Sequence, residues 1–102
     1  MKKTKARFEK VKPTADRNAL RKKFYDAVDQ NKWGLVETIR QFRIMLGMNQ
    51  KEFAIYSGVT LRALMEFEQG RRNPTVKTIE KMLKGSGLEL ALRRAQNTPY
   101  KG

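Results

Sequence analysis

The segment spanning residues 50–68 constrains the fold most, because many of its positions have a mechanical reason for their residue type. Ala54 is small where two crossing helices would nearly touch, and Gly58 stands where a turn needs a positive φ. Val59 then fills the space between the helices, and Leu64 holds the second helix at a steep angle to the first. The segment therefore predicts two short helices joined by a tight turn.

Capping residues indicate where the helices of this region begin. Asn49, followed three residues later by Glu52, is an N-cap with a reciprocating acid. Thr60 and Thr75 are the predicted N-caps of the two later helices. The predicted helices cover residues 33–46, residues 50 to about 57, residues 61 to about 69, and a stretch from Thr75 to the glycines at 85 and 87.

Apolar residues at helical spacing predict the inward face of each helix. The members are one, three or four positions apart, which places them on one side of a helix. The predicted core residues are Leu35, Val36, Ile39, Phe42 and Leu46 in the first helix, Phe53 and Ala54 in the second, Leu64 and Phe67 in the third, and Val76, Ile79, Met82 and Leu83 in the fourth.

The chain before this region is more strongly basic. Residues 1–32 carry eleven basic and four acidic residues, and residues 1–13 are expected to form a flexible basic arm that ends at Pro13. From Thr14 onward the pattern becomes helical, with one narrow apolar stripe. We expect an extra helix that packs on its own domain or on a dimer mate; its stripe consists of Leu20, Phe24, Ala27 and Val28.

Beyond the helices the period changes from helical to alternating. Leu88, Leu90 and Leu92 alternate with other residues, which predicts a short, half-buried strand over residues 88–93. A lone strand cannot satisfy its own backbone groups, so the same strand of a second subunit is its natural partner. An extended tail laid over the helices is the alternative. The domain is therefore expected to cover residues 33–94, with a flexible tail over residues 95–102.

The composition limits the possible functions. With 23 Lys and Arg against 10 Asp and Glu, the formal net charge is +13, which favours a polyanionic partner such as nucleic acid over an anionic membrane surface. The chain has no His and no Cys, which removes Cys/His zinc sites, Ser-His-Asp triads and cysteine nucleophiles. We expect no enzyme activity, no metal and no cofactor. No apolar run approaches the roughly 18 residues of a membrane span, so a cytoplasmic, nucleoid-associated protein is expected.

The helical region resembles the Xre/Cro-type helix-turn-helix regulators, which include the phage repressors. The resemblance covers roughly residues 35–92 and implies an all-α, lambda-repressor-like domain, here with an extra N-terminal helix and with the C-terminal strand in place of a fifth helix. The matching residues are Ile39, Phe42, Arg43 and Gly47, then Gln50, Phe53 and Ala54, then Ser57, Gly58, Val59 and Thr60, and finally Glu68, Gly70, Pro74 and Thr75.

The resemblance also implies roles for individual residues. Arg62 is expected to contact guanine with two hydrogen bonds, Glu66 to accept from a cytosine amine, and Leu61 to offer only apolar contact, as to a thymine methyl. Arg43 and Glu68 are expected to form a structural ion pair. The expected base-contacting residues are Thr60, Leu61, Arg62 and Glu66, and the expected phosphate-binding residues are Gln50, Lys51, Arg71, Arg72, Asn73 and Lys77.

The ending of the chain, Gly87 followed by Leu-Glu-Leu-Ala-Leu, is similar to that of the HipB-like antitoxins. This likeness implies a homodimer joined through Leu88, Leu90 and Leu92 that represses its own operon at an inverted repeat. It also implies a HipA-like Ser/Thr kinase toxin as a protein partner. A stand-alone repressor without a toxin and a general nucleic-acid-binding adaptor remain as alternatives.

Overall fold

The structure is a computed structural model that describes residues 14–94, and the statements that follow refer to this range. It is all-α, with five helices and no strand. Helix α1 spans Thr14–Asp29, α2 Leu35–Met45, α3 Gln50–Ser57, α4 Leu61–Glu68 and α5 Val76–Met82. The four predicted helices of the domain are all present, and their N-termini lie within two residues of the predicted ones.

The predicted capping residues begin the three shorter helices. At the start of α3, Asn49 Oδ1 accepts from the Glu52 backbone at 2.8 Å, and Glu52 Oε1 accepts from the Asn49 backbone at 3.0 Å. The Thr60 hydroxyl oxygen accepts from the backbone N–H three residues later at 3.0 Å, and Thr75 does the same at 3.1 Å. Each cap satisfies an N–H that the first turn of its helix cannot bond internally.

The turn between α3 and α4 depends on the backbone of Gly58. Its φ is +80°, in the left-handed region that the sequence predicted, and its N–H donates to the Ala54 carbonyl at 2.9 Å. Val59 follows and packs, half-buried, against the core. The turn therefore closes α3 and redirects the chain into α4.

Apolar side chains from all five helices meet in one core. Three of its phenylalanines come from α2, α3 and α4, and each is almost completely buried. The rings of Phe42 and Phe53 meet edge to face with centroids 6.0 Å apart, a favourable geometry for an aromatic pair. The buried core consists of Phe24, Ala27, Ile39, Phe42, Met45, Met48, Phe53, Ala54, Leu64, Phe67, Ile79, Met82 and Leu83.

Helix α1 packs on its own domain, one of the two arrangements that the sequence allowed. The ring of Phe24 is buried, with its centroid 5.8 Å from those of both Trp33 and Phe42. The hydroxyl of Tyr25 donates to the Ser86 carbonyl at 2.6 Å, which ties α1 to the turn after α5. The extra helix is therefore an integral part of this core.

Three residues predicted to face inward are exposed instead. Val76 is 61% exposed and Leu35 is 40% exposed, because each is the first residue of its helix and projects beyond the packed turns. Leu20 is 43% exposed, since α1 contacts the core mainly through Phe24 and Ala27. The helical periodicity identified the correct helices but not where their buried stripes begin.

The strand predicted over residues 88–93 is not formed within the described range, where residues 88–94 have no regular secondary structure. Leu88 packs half-buried against the core, whereas Leu90 is 39% exposed and Leu92 is fully exposed. Pairing of this segment across a dimer stays a prediction. The predicted basic arm, residues 1–13, and the predicted tail, residues 95–102, lie outside the described residues.

Candidate nucleic-acid interface

The outward face of α4 carries the residues predicted to contact bases. Leu64 and Phe67 turn inward and are buried, so the opposite side of this two-turn helix faces solvent. The Arg62 side chain is 87% exposed, and Leu61 is 38% exposed at the start of the helix. Thr60, at the cap, is exposed as well. Because the cap and the first turn project together, the N-terminal end of α4 is accessible to a large ligand.

Glu66 joins the outward face of α4 to the loop that follows it. Arg62 Nε donates to Glu66 Oε2 at 3.1 Å, and Arg72 Nη1 donates to Glu66 Oε1 at 2.6 Å. The Arg62 bond, followed by the Arg72 bond, holds the pKa of the Glu66 carboxyl below its ordinary value of 4.5. The carboxylate is therefore ionised at neutral pH and orients two arginines that were predicted to contact different parts of DNA.

A buried carboxylate holds α4 against the two preceding helices. Glu68, whose side chain is 4% exposed, accepts from Arg43 Nε at 2.8 Å and Arg43 Nη2 at 3.1 Å. Arg43 also donates to the Met48 carbonyl at 3.0 Å. The ion pair expected from the sequence is thus confirmed. It fixes the angle at which α4 projects from the domain.

Two further residues complete this connection. Gln50 Nε2 donates to Glu68 Oε1 at 2.9 Å, so Gln50 braces the end of α4 while its backbone lies at the start of α3. Its expected phosphate contact stays a prediction. Arg40, to which the sequence gave no role, donates to the Glu68 main-chain carbonyl and to the Glu37 carboxylate. The one feature of the sequence that could have indicated this role is the position of Arg40 one turn before Arg43 on α2.

The remaining residues predicted to bind phosphate are all exposed. Arg71 lines a shallow open groove on α4, and Arg72 is held by Glu66, so both belong to one continuous surface with Arg62. Met65 and Gln69 line the same groove, although the sequence analysis assigned neither residue to a base or to a phosphate. The other exposed members of the predicted phosphate-binding set are Lys51, Asn73 and Lys77.

The side chains of this surface suit a ligand that carries both negative charge and hydrogen-bond acceptors. Two arginines bond one carboxylate at the outward face of a short helix and a third lines the same groove, in a chain with a net charge of +13. Guanidinium groups bond both to phosphate oxygens and to the acceptor edge of guanine. Over residues 14–94 no group of three or more side chains is arranged to hold a metal ion, and no helix is long and apolar enough to cross a membrane.

Comparison with known proteins agrees with this geometry. A helix-turn-helix family model matches residues 39–92, which is more than half of the chain and includes α3, the turn and α4. No curated protein and no solved structure matches the chain. Helix α1 lies before the matched range. On the family match and the architecture of α3 and α4, the chain belongs to the Xre/Cro-type helix-turn-helix family, whose members are DNA-binding regulatory domains.

Proposed function

We propose that the protein is a transcriptional repressor that binds an inverted repeat in double-stranded DNA as a homodimer. The observation that carries the proposal is the outward face of α4, where Arg62 is exposed and is oriented by Glu66. A helix presented in this way can enter the major groove with its N-terminal end first.

Recognition would divide between the helix and its flanks. Thr60, Leu61 and Arg62 stand at the leading end of α4, where side chains reach base edges. Arg62 is the residue that we expect to bond guanine O6 and N7. The flanking residues Gln50, Lys51, Arg71, Arg72, Asn73 and Lys77 would bind phosphates and set the register of the helix on the duplex.

In this proposal Glu66 positions two arginines, whereas the sequence analysis expected it only to accept from a cytosine amine. Each of its carboxylate oxygens accepts a hydrogen bond from an arginine, so the bonds that Glu66 makes within the protein orient Arg62 and Arg72, while its remaining lone pairs can still accept from a cytosine amine. We therefore assign Glu66 to positioning Arg62 for a base and Arg72 for a phosphate. One carboxylate then couples base recognition to phosphate binding.

Dimerisation would use the C-terminal segment. Leu90 and Leu92 are large apolar residues left in solvent, and an exposed alternating segment is stabilised by pairing with a second copy. A two-fold dimer would hold two copies of α4 about 34 Å apart, one turn of DNA. This arrangement accounts for the expected inverted repeat.

We further propose that the repressor is the antitoxin of a toxin–antitoxin operon and neutralises a HipA-like kinase toxin. The support for this role is the similarity of the ending at residues 87–92 to that of HipB-like antitoxins. Affinity purification from the native host would recover a kinase at a ratio near one to one. Recovery of only the protein and DNA would instead identify an autonomous repressor.

Selection of random duplexes tests the DNA-binding proposal itself. Several rounds of selection with the full chain should enrich an inverted repeat whose half-sites are centred about one helical turn apart. The Arg62→Ala variant, selected in parallel, should enrich a sequence that has lost one guanine in each half-site. Enrichment of no sequence, or equal binding to RNA, would identify a general nucleic-acid adaptor and refute the proposal.

A further inference from the structure

The exposed side of α4 carries an apolar pair next to its charged pair. Leu61 and Met65 are four positions apart, which places them on the same side of the helix. Each of the two side chains is 38% exposed. Arg62 and Glu66 form the neighbouring stripe with the same spacing. All four side chains line the same shallow groove.

The surroundings of this apolar pair indicate what covers it. Arg62, Arg71 and Arg72 lie around the groove or are bonded to its carboxylate, so an apolar protein surface would have to desolvate several charges to dock here. A DNA duplex is itself anionic and meets those charges with phosphates. Its major groove also presents one purely apolar group, the C5 methyl of thymine.

We propose that Leu61, with Met65 beside it, binds the C5 methyl of a pyrimidine next to the guanine that Arg62 contacts. This inference rests on the proposed function and specifies the base step that the protein recognises. Leu61 has no donor or acceptor and Met65 has only a weakly accepting sulfur, so a methyl group is the base feature that each contacts most favourably. Leu61 and Arg62 lie together in the first turn of α4, so we expect the two contacts to fall on neighbouring bases.

The geometry of Arg62 is compatible with both contacts. Its bond to Glu66 uses Nε, which leaves the terminal nitrogens of the guanidinium for the O6 and N7 atoms of guanine. The same C5 methyl occurs in thymine and in 5-methylcytosine. The methyl is therefore the recognised chemistry, and the two bases are its possible sources.

Replacing thymine by deoxyuracil tests the inference, because it removes the methyl and leaves base pairing intact. With the duplex obtained by selection, each thymine of a half-site is replaced in turn and the Kd of the full chain is measured. At one position next to a guanine, wild-type binding should weaken by about fourfold, the value expected for one buried methyl group. The Leu61→Ala variant should discriminate between the two duplexes less than the wild type does, because the shorter side chain removes most of the apolar contact and leaves only that of Met65.

A second pair of duplexes separates the two sources of the methyl. Cytosine and 5-methylcytosine are placed in turn at the sensitive position, opposite guanine. Tighter binding to 5-methylcytosine extends the recognition to any C5 methyl, and equal binding restricts it to thymine. Ile44→Ala is the matched control, because Ile44 is a 46% exposed aliphatic residue on α2, outside the groove. This variant should keep the wild-type response to deoxyuracil.

The outcomes also separate this inference from the proposed function. If no sequence is enriched by selection, both fail. If a sequence is enriched but no deoxyuracil duplex binds more weakly, or if Leu61→Ala responds as the wild type does, the methyl contact is refuted and the repressor proposal stands. Circular dichroism of Leu61→Ala should show native helix content, since Leu61 lies outside the buried core and alanine is a good helix former.

Discussion

Removing the buried carboxylate of Glu68 should destabilise the domain strongly, because the cost of an unpaired buried charge exceeds that of most single substitutions. In Glu68→Leu, the Arg43 guanidinium, whose side chain is 15% exposed, keeps only its bond to the Met48 carbonyl. Breaking a buried ion pair costs about 3–5 kcal/mol. Since that carbonyl bond survives, we expect about 3 kcal/mol, roughly a hundredfold in the unfolding equilibrium.

Urea denaturation of four proteins tests this reasoning: the wild type, Arg43→Leu, Glu68→Leu and the double variant. The double variant should be more stable than Glu68→Leu alone, because no unpaired charge remains in it. The pair Lys22–Asp26 provides a control, since its side chains are 77% and 51% exposed. An ion pair this exposed contributes little to stability, so Asp26→Ala should leave the midpoint unchanged. If the two single costs simply add, or if Glu68→Leu costs less than about 1 kcal/mol, the account of this connection is wrong.

Three other expectations follow from individual contacts. Phe24→Ala should lower the free energy of unfolding in urea by about 3 kcal/mol, since the ring is buried between α1 and the domain. A cost near zero would mean that α1 does not pack there in solution. Gly85→Ala should cost about 2 kcal/mol in the same assay. The reason is that φ at Gly85 is +80° and a Cβ would collide with the Tyr56 hydroxyl, so a neutral result would contradict that geometry. In an NMR titration, the Glu66 carboxyl should have a midpoint below 4.5. Because this pKa is lowered, the ion pairs of Glu66 persist at neutral pH and are lost as the pH falls through that midpoint. The midpoint should rise in Arg62→Ala, and an unchanged midpoint would refute the Glu66–Arg62 bond.

The parts of the fold that sequence predicts well are those determined by local chemistry. Asn49 and Thr60 begin their helices because their side chains can accept from nearby backbone N–H groups, and Gly58 occupies a backbone region that other residues avoid. These effects act within a few residues. Helical periodicity likewise located Phe53 and Leu64 in the core.

The contacts that sequence could not predict join distant parts of the chain. The bond from Tyr25 to the Ser86 carbonyl links residues 61 positions apart, and no local pattern encodes it. The same holds for Arg40, whose partner Glu68 lies two helices later. Within the site, the outward residues of α4 followed from its buried ones. The pairing of Arg72 with Glu66 depends on the path of the loop, which periodicity does not determine.

The central claim is that α4 is the recognition helix, with Arg62 contacting a base and Arg72 a phosphate. Comparing the DNA binding of variants at these two residues tests it most directly. The Kd of the wild type, Arg62→Ala and Arg72→Ala is measured on the selected duplex and on a shuffled duplex of the same composition, at matched salt concentrations. We predict that Arg62→Ala loses about 1–3 kcal/mol per half-site on the selected duplex and little on the shuffled one. Arg72→Ala should weaken binding to both duplexes alike. Retained discrimination in Arg62→Ala, together with its loss in Arg72→Ala, would contradict the assignment of α4 as the recognition helix.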